Sequence, residues 1–348
     1  MFHPRQFREL VSGRRRGPGA AAARLALGLV EPFYAAAVAW RNRRFDRGAG
    51  VVSVNVPVVS VGNLTLGGTG KSPMVRWIAG SLARRGGRPA VVSRGYGASA
   101  GMPNDEALEF QLALPDVPHL ENPDRVAAAR RAIAEFDAAV IVLDDGFQHR
   151  RLARNLDLVM LDALEPFGFE HVFPRGTLRE PLTGLQRAGV IVLSRADMLA
   201  VSERDEIHQR VRQIAPQALW VETAHRAKVL RAADGREEPL DMFHGAPIAA
   251  FCGLGNPAGF RHTLEGCGYR VQAFREFPDH HRYGQADLDD LASWVAGANV
   301  AAVLCTQKDL VKLKALELGS RPLWALGIEL DFLTGQSELE AELEKTGE

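Results

Sequence analysis

Short apolar runs alternate with segments of helical periodicity along most of the chain. The apolar runs are rich in β-branched residues and occupy positions 51–61, 89–93, 138–143, 156–161 and 190–194. Segments with helical periodicity lie between or after them, at 74–85, 123–136 and 201–214. Short β-branched runs are typical of parallel strands that are buried on both faces. The pattern therefore predicts an α/β fold with a doubly wound, mostly parallel sheet, whose ligands bind at the carboxyl ends of its strands.

A second, smaller α/β unit is indicated after residue 240. It has strands at 247–252, 269–274 and 301–306, with helices between them. The preceding stretch is rich in turn signals and predicts a two-stranded antiparallel linker with strands at 219–223 and 227–231. An active site is expected in a cleft between the two α/β units. The predicted segments are an N-terminal segment at 1–48, a core domain at 49–218, the linker at 219–240 and a C-terminal domain at 241–348.

The first 50 residues are basic and contain an apolar stretch. Ten arginines stand against three acidic residues there, although the whole chain has no net charge. Residues 25–40 are apolar except for Glu31, and this run is shorter than the roughly 20 residues that a membrane-spanning helix needs. An interfacial helix on an anionic membrane surface fits this pattern, with its arginines on the lipid head groups. A signal peptide and an amphipathic helix that covers the protein core are the alternatives.

Charge and cysteine content narrow the class of partners and the compartment. Because basic and acidic residues are equal in number, the chain offers no global electrostatic support for a nucleic-acid partner. Three scattered cysteines without CxxC spacing are expected to be reduced and buried, which indicates a cytoplasmic protein rather than a disulfide framework. No protein partner is indicated by the sequence.

A glycine-rich turn follows the first apolar run and opens a helix. The segment VGNLTLGGTGKSP at 61–73 has the strand–turn–helix order of a phosphate-binding loop. Lys71 would reach the β- and γ-phosphates of a nucleotide, and the Ser72 hydroxyl would bind Mg²⁺. Thr65 stands where the usual pattern has glycine, and an ordinary glycine-rich turn is the alternative. The residues expected to bind the nucleotide are Gly67, Gly68, Thr69, Gly70, Lys71 and Ser72.

Acidic residues at three places could take part in the chemistry. Asp144 and Asp145 end an apolar strand, where carboxylates hold Mg²⁺ beside a phosphate loop, although strand-end aspartates also cap turns. Because side chains alternate along a strand, only one of this pair is expected to contact the metal directly. Asp105 belongs to an acidic pair in a predicted loop, and 279–281 reads Asp-His-His. A histidine that supports a catalytic carboxylate suits phosphoryl transfer to a hydroxyl.

A series of motifs follows in order along the chain. They are VGNLTLGGTGKSP, VVSRGYG, Asp105-Glu106, VLDDGFQHRRL, FPRGTLREP, FCGLGNP, FPDHHRY and TQKD. Together, over about residues 20–330, they resemble the tetraacyldisaccharide 4′-kinase family of lipid A (lipopolysaccharide) biosynthesis. The resemblance implies phosphorylation of the 4′-hydroxyl of tetraacyldisaccharide 1-phosphate with ATP and Mg²⁺ at the cytoplasmic face of the bacterial inner membrane. It also implies a phosphate-loop domain and a smaller α/β domain joined by a two-stranded ribbon, with an N-terminal helix that binds the membrane.

The resemblance assigns roles to the residues of the phosphate loop and the acidic pair. Lys71 matches the phosphate-loop lysine of the family, and Ser72 stands where the family often has threonine. Asp144 and Asp145 match the acidic pair at the metal. The resemblance therefore implies the same nucleotide and metal residues as the spacing of the loop.

A catalytic pair is implied by the resemblance alone. Asp105 matches the proposed base of the family, and His280 matches the histidine that forms a dyad with it. The family usually has Gly-Asp-Glu-Pro around this base, whereas Asn104 and Ala107 flank the acidic pair in this chain. Arg179 lies in the FPRGTLREP motif without an assigned role.

Two other functions are compatible with parts of the sequence. A nucleotide-driven switch or maturation factor, a GTPase or ATPase that acts on a protein partner, has a similar phosphate loop and acidic strand end. It would need neither a membrane-seeking N-terminus nor a carboxylate and an imidazole from different domains. A dinucleotide-binding oxidoreductase is disfavoured, because Gly-Lys-Ser at 70–72 replaces the small residues of a pyrophosphate turn.

Overall fold

A computed structural model of the chain describes residues 4–95, 105–278, 281–313 and 315–347. The chain divides into two compact units. The first contains Met1–Arg94, Val117–Ala224 and Phe332–Glu348, and the second contains Gly95–Asp116 and His225–Asp331. Each unit has parallel strands of its own with helices packed against them.

The helices and strands are numbered along the chain. In the described residues the helices are α1 (Pro4–Val11), α2 (Pro18–Asp46), α3 (Lys71–Arg84), α4 (Asp105–Ala113), α5 (Arg125–Phe136), α6 (Val201–Ile214), α7 (Pro257–Gly266), α8 (Gln285–Ala296), α9 (Gln307–Leu313) and α10 (Gln336–Gly347). The strands are β1 (Val58–Asn63), β2 (Pro89–Ser93), β3 (His119–Glu121), β4 (Val140–Asp144), β5 (Leu156–Asp162), β6 (Val190–Ser194), β7 (Leu219–Arg231), β8 (Glu237–Pro239), β9 (Pro247–Cys252), β10 (Arg270–Glu276), β11 (Ala302–Thr306), β12 (Glu317–Leu318) and β13 (Arg321–Thr334).

The first unit is built around a parallel sheet with the order β7-β6-β5-β1-β4-β2-β3. Every residue of β1 is buried, which is what its apolar, β-branched sequence predicts for a central parallel strand. Later strands are added on both sides of β1, so the chain changes direction at this strand. Open α/β sheets bind ligands at such a switch point, beyond the carboxyl ends of the strands. The predicted α/β class and parallel sheet are confirmed.

The second unit has a parallel sheet with the order β10-β9-β11-β13. Apolar residues of α7 pack on one buried cluster of this unit, and those of α8 and α9 pack on another. The predicted hairpin between 219–223 and 227–231 is wrong, because both stretches belong to the single strand β7. No Gly, Pro, Asn or Asp lies between them to turn the chain. The turn comes later, at Gly235, and the end of β7 pairs antiparallel with β8.

Helix α2 is bound to the first unit along one side. Its Glu31 accepts hydrogen bonds from the backbone N–H of Val172 at 2.7 Å and from Nδ1 of His171 at 3.0 Å. The hydroxyl of Tyr34 donates to the carbonyl of Arg179 at 3.3 Å. Glu31 therefore interrupts the apolar run of the sequence because its carboxylate binds the protein.

The other side of α2 is exposed and apolar. We call this surface the exposed stripe; it consists of Ala22, Leu25, Ala26, Leu29, Val30, Phe33, Ala36, Ala37 and Trp40. Two exposed arginines, Arg43 and Arg44, continue it toward the C-terminal end of the helix. Among the helices of the described residues, α2 is the one long and apolar enough to cross a membrane, by length and composition only.

Candidate nucleotide-binding site

The turn between β1 and α3 has a backbone that needs glycine. Gly67 and Gly70 have φ angles of 123° and 79°, which residues with a Cβ atom rarely adopt. Gly70 directly precedes Lys71, the first residue of α3. The N-terminus of a helix presents backbone N–H groups and a partial positive charge. This end of α3 is therefore suited to binding an anion.

Asn63 connects the end of β1 with the loop and with the lysine. Its Nδ2 donates a hydrogen bond to the carbonyl of Thr65 at 2.8 Å, and its Oδ1 accepts one from Nζ of Lys71 at 3.3 Å. Asn63 is fully buried, so water does not compete for these two hydrogen bonds. A single amide thus sets the loop backbone and the lysine relative to the strand.

A second segment of the chain braces the same loop. The backbone N–H of Leu66 donates to the carbonyl of Thr177 at 2.7 Å. Thr65 and Leu178 form an antiparallel bridge. A β-bridge requires extended backbone, which threonine adopts readily. Position 65 therefore does not require glycine. The departure from the usual loop pattern therefore has a structural reason.

The opposite side of the loop is attached to the end of β6. The hydroxyl of Ser194 donates to the carbonyl of Thr69 at 2.9 Å. Nη2 of Arg195 donates to the carbonyl of Gly68 at 3.0 Å, and the same guanidinium is paired with Asp162. The loop backbone is thus tied at several points to its surroundings, which leaves its N–H groups preorganised for a ligand.

The predicted acidic pair lies beside this loop, with unequal surroundings. Nη1 of Arg179 lies 2.9 and 3.0 Å from the two carboxylate oxygens of Asp145, and Nζ of Lys71 lies 3.5 Å from its Oδ1. Burial raises the pKa of Asp145, but the charges of Lys71 and Arg179 outweigh it and the pKa is lowered. Asp145 is therefore a charged partner of the phosphate-loop lysine.

Asp144 is the last residue of β4, beside Val61 of β1 in the sheet register. The strand ends there, and Asp145 has a left-handed φ of 52°. The prediction that the two aspartates alternate along one strand is therefore wrong for Asp145.

Ser72, the predicted hydroxyl ligand, is the second residue of α3 and is half-buried. Within the described ranges, no three His, Cys, Asp or Glu residues gather into a cluster that could hold a metal ion.

A buried network behind the loop was not predicted from the sequence. Nε2 of Gln148 donates to the carbonyl of Asn63 at 2.9 Å and to Oε1 of Glu180 at 3.1 Å. Glu180 is fully buried, and its carboxylate accepts hydrogen bonds from Arg187 at 2.9 and 3.0 Å and from Asn42 of α2 at 2.8 Å. The only signal of this network in the sequence was that Gln148 and Glu180 lie in two of the quoted motifs.

The side chain of His149, in the same region, is neutral because of its surroundings. Burial lowers the pKa of His149 to about 4, and the nearby charges of Arg125 and Arg154 act in the same direction. Arg125 is itself buried at the first turn of α5. The imidazole of His149 therefore carries no charge at neutral pH.

The predicted catalytic pair, Asp105 and His280, is described only in part. Asp105 was expected in a loop of the core domain, but it is the first residue of α4 in the second unit. The range His225–Asp331 belongs to the same unit, so the prediction that the carboxylate and the imidazole come from different domains is wrong. Its side chain lies outside the described residues, and so does His280. The pairing of these two residues stays a prediction.

The sequence matches one protein family over nearly its whole length. The model of the family described as tetraacyldisaccharide-1-P 4′-kinase matches residues 23–348. A tetraacyldisaccharide 4′-kinase of Anaeromyxobacter sp. (strain K) is 41% identical over 350 residues, which cover 95% of this chain and 92% of that protein. Another, from Geobacter sulfurreducens, is 33% identical over 357 residues, with 97% and 98% coverage.

The fold agrees with that of a solved relative. The crystal structure of LpxK from Aquifex aeolicus, in complex with ATP, superimposes with a TM-score of 0.75 at 26% sequence identity. The match covers 94% of this chain and 100% of that chain. The resemblance inferred from the motifs is thereby confirmed, and the chain belongs to the tetraacyldisaccharide-1-P 4′-kinase family.

Proposed function

We propose that this protein transfers the γ-phosphoryl group of ATP to the 4′-hydroxyl of tetraacyldisaccharide 1-phosphate, a lipid A precursor. The observation that carries the proposal is the position of Lys71 at the N-terminus of α3, within 3.3 Å of Asn63 and 3.5 Å of Asp145. A lysine held there by a side chain on each side can contact the phosphates of a nucleotide bound to the loop. The names of the relatives and the ATP bound to LpxK of Aquifex aeolicus support the same activity.

The loop binds ATP mainly by positioning and electrostatics. The backbone N–H groups of 67–70 would face the phosphate oxygens, and Lys71 would lie against the β- and γ-phosphates. Little covalent chemistry falls to the protein in phosphoryl transfer, so the rate depends on aligning the γ-phosphate with the acceptor and stabilising its charge. The several hydrogen bonds that fix the loop support this role.

The predicted Mg²⁺ site consists of Ser72, Asp144 and Asp145, and Ser72 and Asp144 would contact the ion. Hydroxyl and carboxylate oxygens are the ligands that this ion prefers, so the residues present fit it. Because both oxygens of Asp145 accept hydrogen bonds from Arg179, we assign the direct contact to Asp144 and the support of Lys71 to Asp145. When bound, Mg²⁺ neutralises the charge on the β- and γ-phosphate oxygens.

Asp105 takes the proton from the attacking sugar hydroxyl in this proposal. A carboxylate is a suitable base because the hydroxyl loses its proton as the new P–O bond forms. His280 supports that carboxylate, either by orienting it or by stabilising its charge. The match of both residues to family motifs supports this assignment.

The exposed stripe of α2 binds the membrane in which the lipid substrate is embedded. Its apolar side chains would enter the acyl boundary, while Arg43 and Arg44 would contact anionic head groups. Since ATP is the phosphoryl donor, we assign the enzyme to the cytoplasmic face of the inner membrane. Segment 1–48 would bind the membrane, and the first compact unit, which contains the phosphate loop, would bind the nucleotide.

The test combines radiolabelled ATP and tetraacyldisaccharide 1-phosphate with the purified protein in detergent micelles. We expect a labelled lipid with phosphate at the 4′-position from the wild type. Lys71→Ala should give no such product while keeping the wild-type unfolding temperature, because Lys71 acts on the nucleotide. Nucleotide hydrolysis at the same rate with and without lipid, and no labelled lipid, would contradict the kinase proposal and favour a switch.

A further inference from the structure

Helix α1 places an arginine beside the phosphate loop. Nη2 of Arg8 donates a hydrogen bond to Oε2 of Glu165 at 2.9 Å. A Cβ atom built on Gly67 would lie 3.9 Å from Nη1 of the same guanidinium. One edge of the guanidinium is therefore bound to a carboxylate, and the other faces the first glycine of the loop.

Glu165 connects this arginine to the loop backbone. Its Oε1 accepts a hydrogen bond from the hydroxyl of Thr177 at 2.9 Å, and the carbonyl of Thr177 accepts one from the N–H of Leu66 at 2.7 Å. Burial raises the pKa of the Glu165 carboxyl above its ordinary value, although the hydrogen bonds from Thr177 and Arg8 act in the opposite direction. A continuous hydrogen-bonded path thus runs from α1 to the phosphate loop.

Helix α1 is held firmly enough to fix the position of Arg8. Leu10 is buried, and its carbonyl accepts a hydrogen bond from Arg24 of α2 at 3.3 Å. The rings of Phe7 in α1 and Tyr34 in α2 both pack against Phe173, with centroids 6.0 and 5.5 Å away. Arg8 therefore projects from a packed helix rather than from a loose terminus.

We propose that Arg8 is a positioning residue for ATP. It holds the loop through Glu165 and Thr177, and it offsets the negative charge that a buried carboxylate would otherwise place near the nucleotide phosphates. Arg8 is partly exposed and Glu165 is buried, so loss of Arg8 removes a cationic partner of a buried carboxylate and acts on the loop even without direct contact to ATP. This inference rests on the proposed use of the loop for ATP, and it makes the N-terminal segment part of the nucleotide site.

The test compares full-length wild type with Arg8→Gln and Arg8→Lys. Affinity for a fluorescent ATP analogue is measured without lipid, and the KM values for ATP and for lipid are measured in micelles. We expect Arg8→Gln to raise the Kd and the KM for ATP about tenfold, the effect of losing one charge-assisted hydrogen bond. The KM for lipid should stay within about twofold, since Arg8 acts on the loop alone. Arg8→Lys keeps the charge, so its Kd and KM for ATP should lie between those of the wild type and Arg8→Gln.

Two further variants separate positioning from a general loss of structure. Arg84→Gln removes an exposed arginine at the far end of α3 and should leave the Kd for ATP unchanged. Arg8→Gln combined with Glu165→Gln should bind ATP more tightly than Arg8→Gln alone, because the uncompensated carboxylate is gone. Wild-type affinity in Arg8→Gln, or no recovery in the double variant, overturns the inference. Failure of the wild type to bind the analogue would instead count against the proposed nucleotide site.

Discussion

Arg179 lies behind the phosphate-loop lysine and shares its carboxylate partner. Its Nη1 is 2.9 and 3.0 Å from the oxygens of Asp145, while Nζ of Lys71 is 3.5 Å from the same side chain. The closer cation therefore satisfies most of the negative charge of Asp145. Lys71 is held in place but is left able to interact with a phosphate.

Replacing Arg179 should impair the chemistry more than the fold. In Arg179→Gln, the ion pair of Asp145 with Arg179 is lost, and Lys71 is drawn toward Asp145 and away from the nucleotide. We expect kcat at saturating ATP to fall about 100-fold, as when one electrostatic group of an active site is removed. Steady-state kinetics in micelles measure this. Arg131→Gln, which removes an exposed arginine of α5, should keep wild-type kcat. A kcat of Arg179→Gln within twofold of that control would show that Lys71 does not depend on Arg179.

Replacing the proposed base should lower kcat without weakening ATP binding. Asp105→Asn keeps the shape of the side chain but cannot accept the proton of the sugar hydroxyl. We expect kcat to fall by about 10²- to 10⁴-fold, the usual contribution of a general base, with the Kd for ATP unchanged. Both are measured on the same preparation. Glu106→Gln serves as the control for the neighbouring carboxylate, and an equal loss of kcat there would remove the basis for assigning the base to Asp105.

Charges on the exposed stripe should weaken membrane binding. Leu29 and Phe33 are 68% and 77% exposed, so a glutamate at either position disturbs little of the protein core. Since burial of one such side chain in an apolar phase is worth about 1.5–3 kcal/mol, each substitution should lower the partition coefficient onto anionic vesicles at least about tenfold. Vesicle sedimentation measures it. Phe136→Glu, on the exposed side of α5, should bind vesicles like the wild type. Equal binding by all three variants would mean that the stripe does not contact lipid.

The buried imidazole of His149 should make stability depend on pH in a defined window. Its pKa is lowered to about 4 in the folded protein, whereas the ordinary value is 6.5. Between these values the unfolded chain binds the proton and the folded chain does not, so the free energy of unfolding decreases as pH falls from 6.5 toward 4. Above this window His149 is neutral in both states and contributes no pH dependence.

Urea unfolding at pH 7.5 and pH 5 tests this expectation. The loss of stability between the two pH values should be smaller in His149→Gln than in the wild type, because the variant lacks the titrating group. The exposed His262→Gln variant should retain the wild-type loss. An unchanged loss in His149→Gln would show that other groups account for the acid sensitivity.

Local sequence patterns predicted much of the secondary structure. The strand expected at 156–161 is Leu156–Asp162, and the one at 247–252 is Pro247–Cys252. Both runs are mainly apolar and short, so neighbouring residues carry the information. The last strand, Arg321–Thr334, and helix Gln336–Gly347 were not predicted. The strand mixes polar and apolar residues, and its strand character depends on partners such as β11.

In the candidate site, too, some features could be predicted from the sequence and others could not. Gly70, Lys71 and the aspartates at 144–145 could be recognised because a phosphate loop and an acidic strand end are defined by residues adjacent in sequence. The partner of Arg179 could not be predicted, because Asp145 lies 34 positions away and the two meet only when the chain folds.

The sequence by itself determined the family and the α/β class and predicted a set of phosphate-binding residues, since these depend on residue types at fixed short spacings. Only the tertiary structure decided that Asp145 is paired with two cations, that Thr65 lies in a β-bridge and that Arg8 stands beside Gly67. The physical reason is that charge pairing and hydrogen bonding act over a few ångströms in space. Residues such as Arg8 and Glu165, 157 positions apart, come within that distance only in the folded protein.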